Sequence, residues 1–261
     1  MLWRRSTSST LAEVGVTLAG LSAFLCAPDL ALAYRPFDGT DAAVAEPGQL
    51  EIELGPAEPV WQGSERLLIA PALVLNFGLT KGLEAVFEGR LFTPLSSSDP
   101  VALRDAAASI KYVIRPGVLQ DKPGPSIATE IGVLFPDTIG DSNYGVSWAG
   151  IVSQRWDWGT VQFNLQTQLN REQRADLFLS TIVEGPHTWK VRPVAELSYE
   201  NDIGSAQTFS GLVGIIWQAR DDLAFDLAVR EASVDGHPLT EVRAGLTFAF
   251  PLSRAAKNAK R

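Results

Sequence analysis

The chain is 261 residues long with 46% hydrophobic and 20% charged residues, which suits one large all-β domain and is unlike a disordered chain. Its formal net charge of −8 at pH 7 argues against nucleic acid as a partner. A single cysteine, Cys26, and two histidines, His187 and His237, leave little for disulfide, zinc or thiol chemistry, so no metal and no cofactor is expected.

Residues 1–33 read as an export signal: Arg4 and Arg5 precede an apolar stretch from Val14 to Ala27, and Ala31, Leu32 and Ala33 form a small-x-small end. Cleavage after Ala33 is the expectation, because the apolar run is shorter than the ~20 residues that span a bilayer as a helix. Arg4, Arg5, Glu13 and Asp29 cancel, so the remainder keeps the acidic balance.

Downstream the pattern changes to period two. Alternating segments fall near 48–56, 66–79, 82–93, 105–116, 126–136, 143–157, 159–170, 175–185, 189–200, 207–219, 222–233 and 239–250. The clearest interleaves Val161, Phe163, Leu165, Thr167 and Leu169 with Gln162, Asn164, Gln166, Gln168 and Asn170. Successive strand side chains point to opposite faces, so this segment has one apolar and one amide-lined wall. Strands of soluble proteins are usually about 5–6 residues long, whereas membrane-spanning strands need ~9–11. The segment lengths predict a single transmembrane antiparallel up-and-down β-barrel of about twelve strands over 34–250, in the outer membrane of a Gram-negative bacterium.

The connections support this. Tight turns at 80–82, 158–159 and 220–221 alternate with longer links at 94–104, 137–142 and 201–206, matching short periplasmic turns and longer outer loops with both chain ends periplasmic. The link 117–125 breaks that rule.

Aromatic spacing gives a second test. Trp189 and Tyr199 share a face ten residues apart, roughly 33 Å along a strand, or about 25 Å once tilted, the height of a lipid-facing band. Tyr144 and Trp156, with Trp148 between them, repeat the pattern, as do Phe209 and Trp217. Tyr144, Trp156, Trp189, Tyr199, Trp217 and Phe250 are the candidate girdle, with outer-membrane lipid as the partner.

The opposite faces supply a candidate lumen lining. It comprises Glu84, Glu88 and Arg90; Lys111 and Arg115; Glu130; Gln162, Asn164, Gln166 and Gln168; Lys190, Arg192 and Glu196; Asp226 and Arg230; and Glu241 with Arg243. In lipid a mid-depth Lys or Arg costs ~2–4 kcal/mol, so these side chains should point inward. Their presence allows two readings, a charged path for a solute or a polar filling that closes a narrow barrel.

Val242, Ala244, Leu246, Phe248 and Phe250 alternate with smaller or polar residues and resemble the last strand of bacterial outer-membrane proteins, which the barrel-assembly machinery reads. Here Pro251 and a basic tail with Arg254, Lys257, Lys260 and Arg261 follow, expected to be a periplasmic end. At the other end, Arg35-Pro36-Phe37, Thr40-Asp41-Ala42, Glu46-Pro47-Gly48 and Glu51-Ile52-Glu53 resemble the opening segment of the outer-membrane transporter family labelled MetA-pathway of phenol degradation. That resemblance implies a single barrel of this size and a link to aromatic-compound catabolism. Where that family often has two aspartates after the threonine, this chain has Asp41 and then Ala42.

Enzyme chemistry is poorly provided for. His187 and His237 fall in predicted turns on opposite sides of the membrane, and acidic loop residues such as Asp137, Asp141 and Asp202 suit solvated turns better than a cation site. Three functions are carried forward: a channel or transporter for a small solute, aromatic or hydrophobic by the family resemblance; a structural or binding barrel without flux; and, third, a lipid hydrolase using Ser233, Asp235 and His237.

Overall fold

Runs of alternating apolar and polar residues, punctuated by Gly, Asp and Pro, become long antiparallel strands in the computed structural model, which describes residues 35–252. The export signal at 1–33 and the basic tail from Arg254 lie outside the described residues. The strands are β1 (Gln49–Gly55), β2 (Glu58–Gln62), β3 (Glu65–Thr80), β4 (Leu83–Pro94), β5 (Ala102–Arg115), β6 (Ser126–Leu134), β7 (Gly145–Trp156), β8 (Gly159–Leu169), β9 (Ala175–Glu184), β10 (Val191–Asp202), β11 (Ala206–Arg220), β12 (Leu223–Val234) and β13 (His237–Pro251). From β2 to β13 each strand pairs with the next, and the sheet closes because β1 and β2, which do not pair with each other, both bridge β13 to β3.

β1 and β2 occupy one position in the wall. Their register against β3 is continuous, from Leu50↔Phe77 to Gln62↔Glu65, while against β13 it slips by one residue between Leu54↔Leu246 and Val60↔Glu241. The interruption holds Gly55, Pro56 and Ala57, where proline removes a ladder donor. Among the described residues thirteen strands therefore make a closed twelve-position barrel, as the alternation predicts, although the sequence pattern ends the first strand near 56.

Both β1 and β13 open onto the same end, called here the near end. Its links are 81–82, 116–125, 157–158, 185–190 and 221–222; those of the far end are 63–64, 95–101, 135–144, 170–174, 203–205 and 235–236. The expected asymmetry of link length is thus only partial. A second long link, 185–190, joins 116–125 at the near end, and two far-end turns are tight. One of these, Asp235 with φ 49° and Gly236 with φ 82°, has the positive-φ pair of a two-residue hairpin turn.

The wall is apolar outside and polar inside. Leu197, Val213 and Ile131 are 72%, 65% and 63% exposed on the outer face, whereas Glu84, Lys111 and Thr247 are at most 1% exposed inside. A soluble fold would have the reverse.

Candidate functional site: the lumen and its N-terminal floor

The interior is occupied. Residues 35–48, which lack regular secondary structure, turn into the barrel at its near end and cross it. Arg35 donates its amide to Glu53 at 3.2 Å, and its guanidinium pairs with Glu58 and, at 3.4 Å, with Asp226. The Pro36 carbonyl accepts from Arg243 at 2.8 Å. Asp38 sits between Arg243 (2.7 Å) and Arg230 (2.9 Å), while the amides of Asp38 and Gly39 both donate to Glu196 at 2.8 Å. The amides of Thr40, Ala42 and Ala45 donate in turn to Asn164 (3.1 Å), Ser153 (2.9 Å) and Glu84 (2.6 Å). Lys111 lies 3.8 Å from Asp41 and 3.6 Å from Glu84.

The segment has no backbone ladder of its own, so these wall side chains take over the role of satisfying its buried amides and charges. Apolar knobs add to the hold. Phe37 packs with Ile182, Val194, Leu212, Ile216, Ala224 and Ala228, and Ala42 packs against Ala128 and Ile151.

Small wall residues make room for it. A Cβ on Gly78 would collide with the carbonyl oxygen of Glu46, and one on Gly245 or Gly55 with the Arg35 guanidinium. Within the segment, a Cβ on Gly39 would meet Ser180 Oγ and come 2.8 Å from Asn164 Nδ2. The result is a floor across the near half of the lumen.

On the far side of this floor a cavity of about 560 Å³ remains, lined among others by Glu88, Arg90, Phe92, Glu130, Gln166 and Glu200. At its mouth Arg171 donates to the carbonyls of Phe135 (2.6 Å) and Ala106 (2.9 Å) and faces Asp137 at 3.5 Å and Asp105 at 3.9 Å. This ties link 170–174 to link 135–144. Burial pushes the Asp137 carboxyl above the usual carboxylate range, against the pull of the Arg171 guanidinium.

Most of the predicted lining faces inward. Glu84, Lys111, Asn164, Glu196, Asp226, Arg230 and Arg243 contact the floor. Glu241 holds Arg243 at 2.9 Å. Gln162 donates to Glu184 at 2.6 Å and Arg192 approaches the same carboxylate at 3.6 Å, while Gln168 donates to Asp176 at 2.7 Å.

Two predicted positions are off the lumen. Arg115 is exposed and donates to the carbonyls of Pro123 and Pro125 in link 116–125. A register shift between Val113 and Arg115 moves it out of the inward series, as a bulge does. Lys190 is exposed in link 185–190, ahead of β10.

The sequence reading missed Arg35 and Asp38, whose partners are scattered along the chain, and the inward Glu53, Glu58, Glu184 and Glu200. For Glu53 the alternation of Glu51 and Glu53 with Leu50, Ile52 and Leu54 already carried the signal.

Outward aromatics lie at two heights. Near-end pairs are Trp156 on Trp158 at 5.4 Å, Trp217 on Phe225 at 5.5 Å and Phe248 with Phe250 at 6.1 Å. Trp189 is exposed at the same end. Far-end pairs are Tyr144 with Phe135 at 6.2 Å and Tyr199 with Phe209 at 4.6 Å. Tyr144 and Trp189 stand in links just ahead of β7 and β10 rather than within strands.

No family model matches the chain, and no curated protein sequence does. Solved structures do. The COG4313 outer membrane channel from Pseudomonas putida F1 aligns with a TM-score of 0.59 over 82% of this chain and 100% of its own, at 9% identity. A KdgM porin in complex with disordered oligogalacturonate gives 0.53 over 77% and 99%, at 13% identity, and a NanC porin 0.54 over 76% and 98%, at 8% identity.

The fold is that of an outer-membrane β-barrel. At such identities the likeness extends to the fold alone. For an outer-membrane barrel, an apolar outer face between two levels of aromatics and a charged interior are the arrangement the bilayer demands.

Proposed function

We propose that the protein is an outer-membrane channel for a small solute, closed by its own N-terminal segment. The observation that carries this reading is the cavity of about 560 Å³ stacked on the floor of residues 35–48. The floor is held by side-chain bonds and small contacts rather than by strand pairing, so it can leave without opening the wall. Far-end links would face outside and near-end links the periplasm, with the aromatic levels anchoring the barrel at the two interfaces. The ending Phe248-Ala249-Phe250 supports recognition by the barrel-assembly machinery. Resemblance of 35–53 to the MetA-pathway family, together with apolar residues in the cavity, supports an aromatic or hydrophobic solute.

A second reading, a filled barrel without flux, is favoured by the bonding of the floor to residues of β4, β7, β8, β10, β12 and β13. Planar-bilayer conductance separates the two. The intact chain should give small or no current steps, and deletion of residues 35–46 should give large, stable ones. A deleted form that migrates as a folded, heat-modifiable barrel yet stays silent would establish the filled barrel instead.

A further inference from the structure

The cavity has one corner whose chemistry is unlike the rest. Val60, Ile69 and Ala72 form an apolar cluster with Leu67, Phe92 and Leu239 inside the far half of the barrel. Val60, Ile69 and Ala72 are buried by this packing, while the partly exposed Leu67, Phe92 and Leu239 give the cavity an apolar wall. Arg90 stands beside it, since register places Arg90 opposite Ala72 and Phe92 opposite Ile69.

Arg90 also differs from the other guanidinium groups that line the cavity. Arg35, Arg171, Arg230 and Arg243 are each held by carboxylates, whereas the Arg90 guanidinium makes no side-chain hydrogen bond and no close ion pair among the described residues, the carboxylates of Asp105, Asp38, Glu58 and Glu88 acting on it only at longer range. It is half-buried and lines the cavity. The Arg104 guanidinium lies 5.6 Å from the Phe92 ring centroid, adding positive potential at the same corner. A planar fork of donors next to an apolar wall matches one ligand shape: a carboxylate on a hydrophobic body.

Nearby acids restrict the charge such a ligand can carry. Glu88 lines the cavity two residues from Arg90, and Asp105 and Glu200 face the same space. A second negative charge on the ligand would meet them, so one carboxylate is favoured over two.

We propose that this corner binds a small organic monocarboxylate through Arg90, with its apolar body against Phe92 and its neighbours. The inference rests on the channel reading and specifies the class of solute.

Benzoate is the probe, titrated calorimetrically into the full-length protein in detergent micelles. Saturable binding is expected, weakened about 10-fold or more in Arg90→Gln, the loss of a charge-assisted contact. It should be weakened less in Arg90→Lys and be unchanged in Arg66→Gln at the exposed rim. Phthalate, with two carboxylates, should bind more weakly than benzoate and gain in Glu88→Gln. Heat-modifiable migration identifies the variants that fold. Absence of saturable benzoate binding, or equal binding in wild type and Arg90→Gln, would overturn the site. If the barrel lacking residues 35–46 conducts but benzoate does not bind, the site fails and the channel stands. If benzoate binds while both forms remain silent, the channel reading fails.

Discussion

Arg243 shows how unequal the charged residues of this barrel are. It is 4% exposed and holds both Glu241 and Asp38, so Arg243→Met leaves these two carboxylates with Arg230 as their one remaining guanidinium partner. The expected cost is about 1–3 kcal/mol, read as a lowered urea midpoint in micelles, because the charge-assisted bonds of Arg243 are lost while Arg230 still partly compensates the two carboxylates. Arg220 with Asp222 has the same 3.0 Å class of contact but side chains 66% and 54% exposed, and Arg220→Gln should shift the midpoint by less than about 1 kcal/mol. Gly78 tests packing instead of charge. A valine there suits a strand, yet its Cβ would take the place of the Glu46 carbonyl. Gly78→Val should therefore leave a heat-modifiable barrel while unseating the floor, seen as protease cleavage within 35–48 that the wild type resists.

At the level of strands, side-chain direction was legible and continuity was not. The alternation of β8 assigned Gln162, Asn164, Gln166 and Gln168 to one wall and Val161, Phe163, Leu165 and Thr167 to the other, and the burial pattern agrees. The consequence can be measured with one substitution on each wall. Leu197→Arg, at the middle of β10 on the outer face, should destabilise the folded barrel in lipid by about 2–4 kcal/mol, whereas Gln166→Arg, facing the cavity, should change it by less than about 1 kcal/mol. A comparable loss for both would contradict the assigned faces. Arg115 escaped the pattern because one extra residue in β5 reverses every later side chain, and nothing in the run from Ala107 to Arg115 marks that slip. β2 escaped because Pro56 and Pro59 read as breakers, although here the wall tolerates them beside an interruption. At Lys190 the alternation runs on through Trp189 into a link that the sheet does not include.

For the whole molecule, closure could be read from strand number and length, but the content of the lumen could not. Residues 35–48 contain Pro36, Gly39, Pro47 and Gly48 with scattered charges, a composition that suits a surface turn. Their partners are single side chains spread along the chain, and no local period encodes such contacts. The order of assembly follows from those separations. The bond from Arg243 to Pro36 spans 207 positions, that from Arg35 to Asp226 spans 191, and that from Asp38 to Glu196 spans 158. Contacts of such high order form late, since long loops must close before they are rewarded. The seat for the floor does not exist until β13 has met β1. The pairing that closes the wall, Gln49 with Pro251, spans a comparable distance along the chain, so the earliest residues of the barrel domain find their places only when its last strand does, and closing the wall and laying the floor belong to the same late stage of assembly.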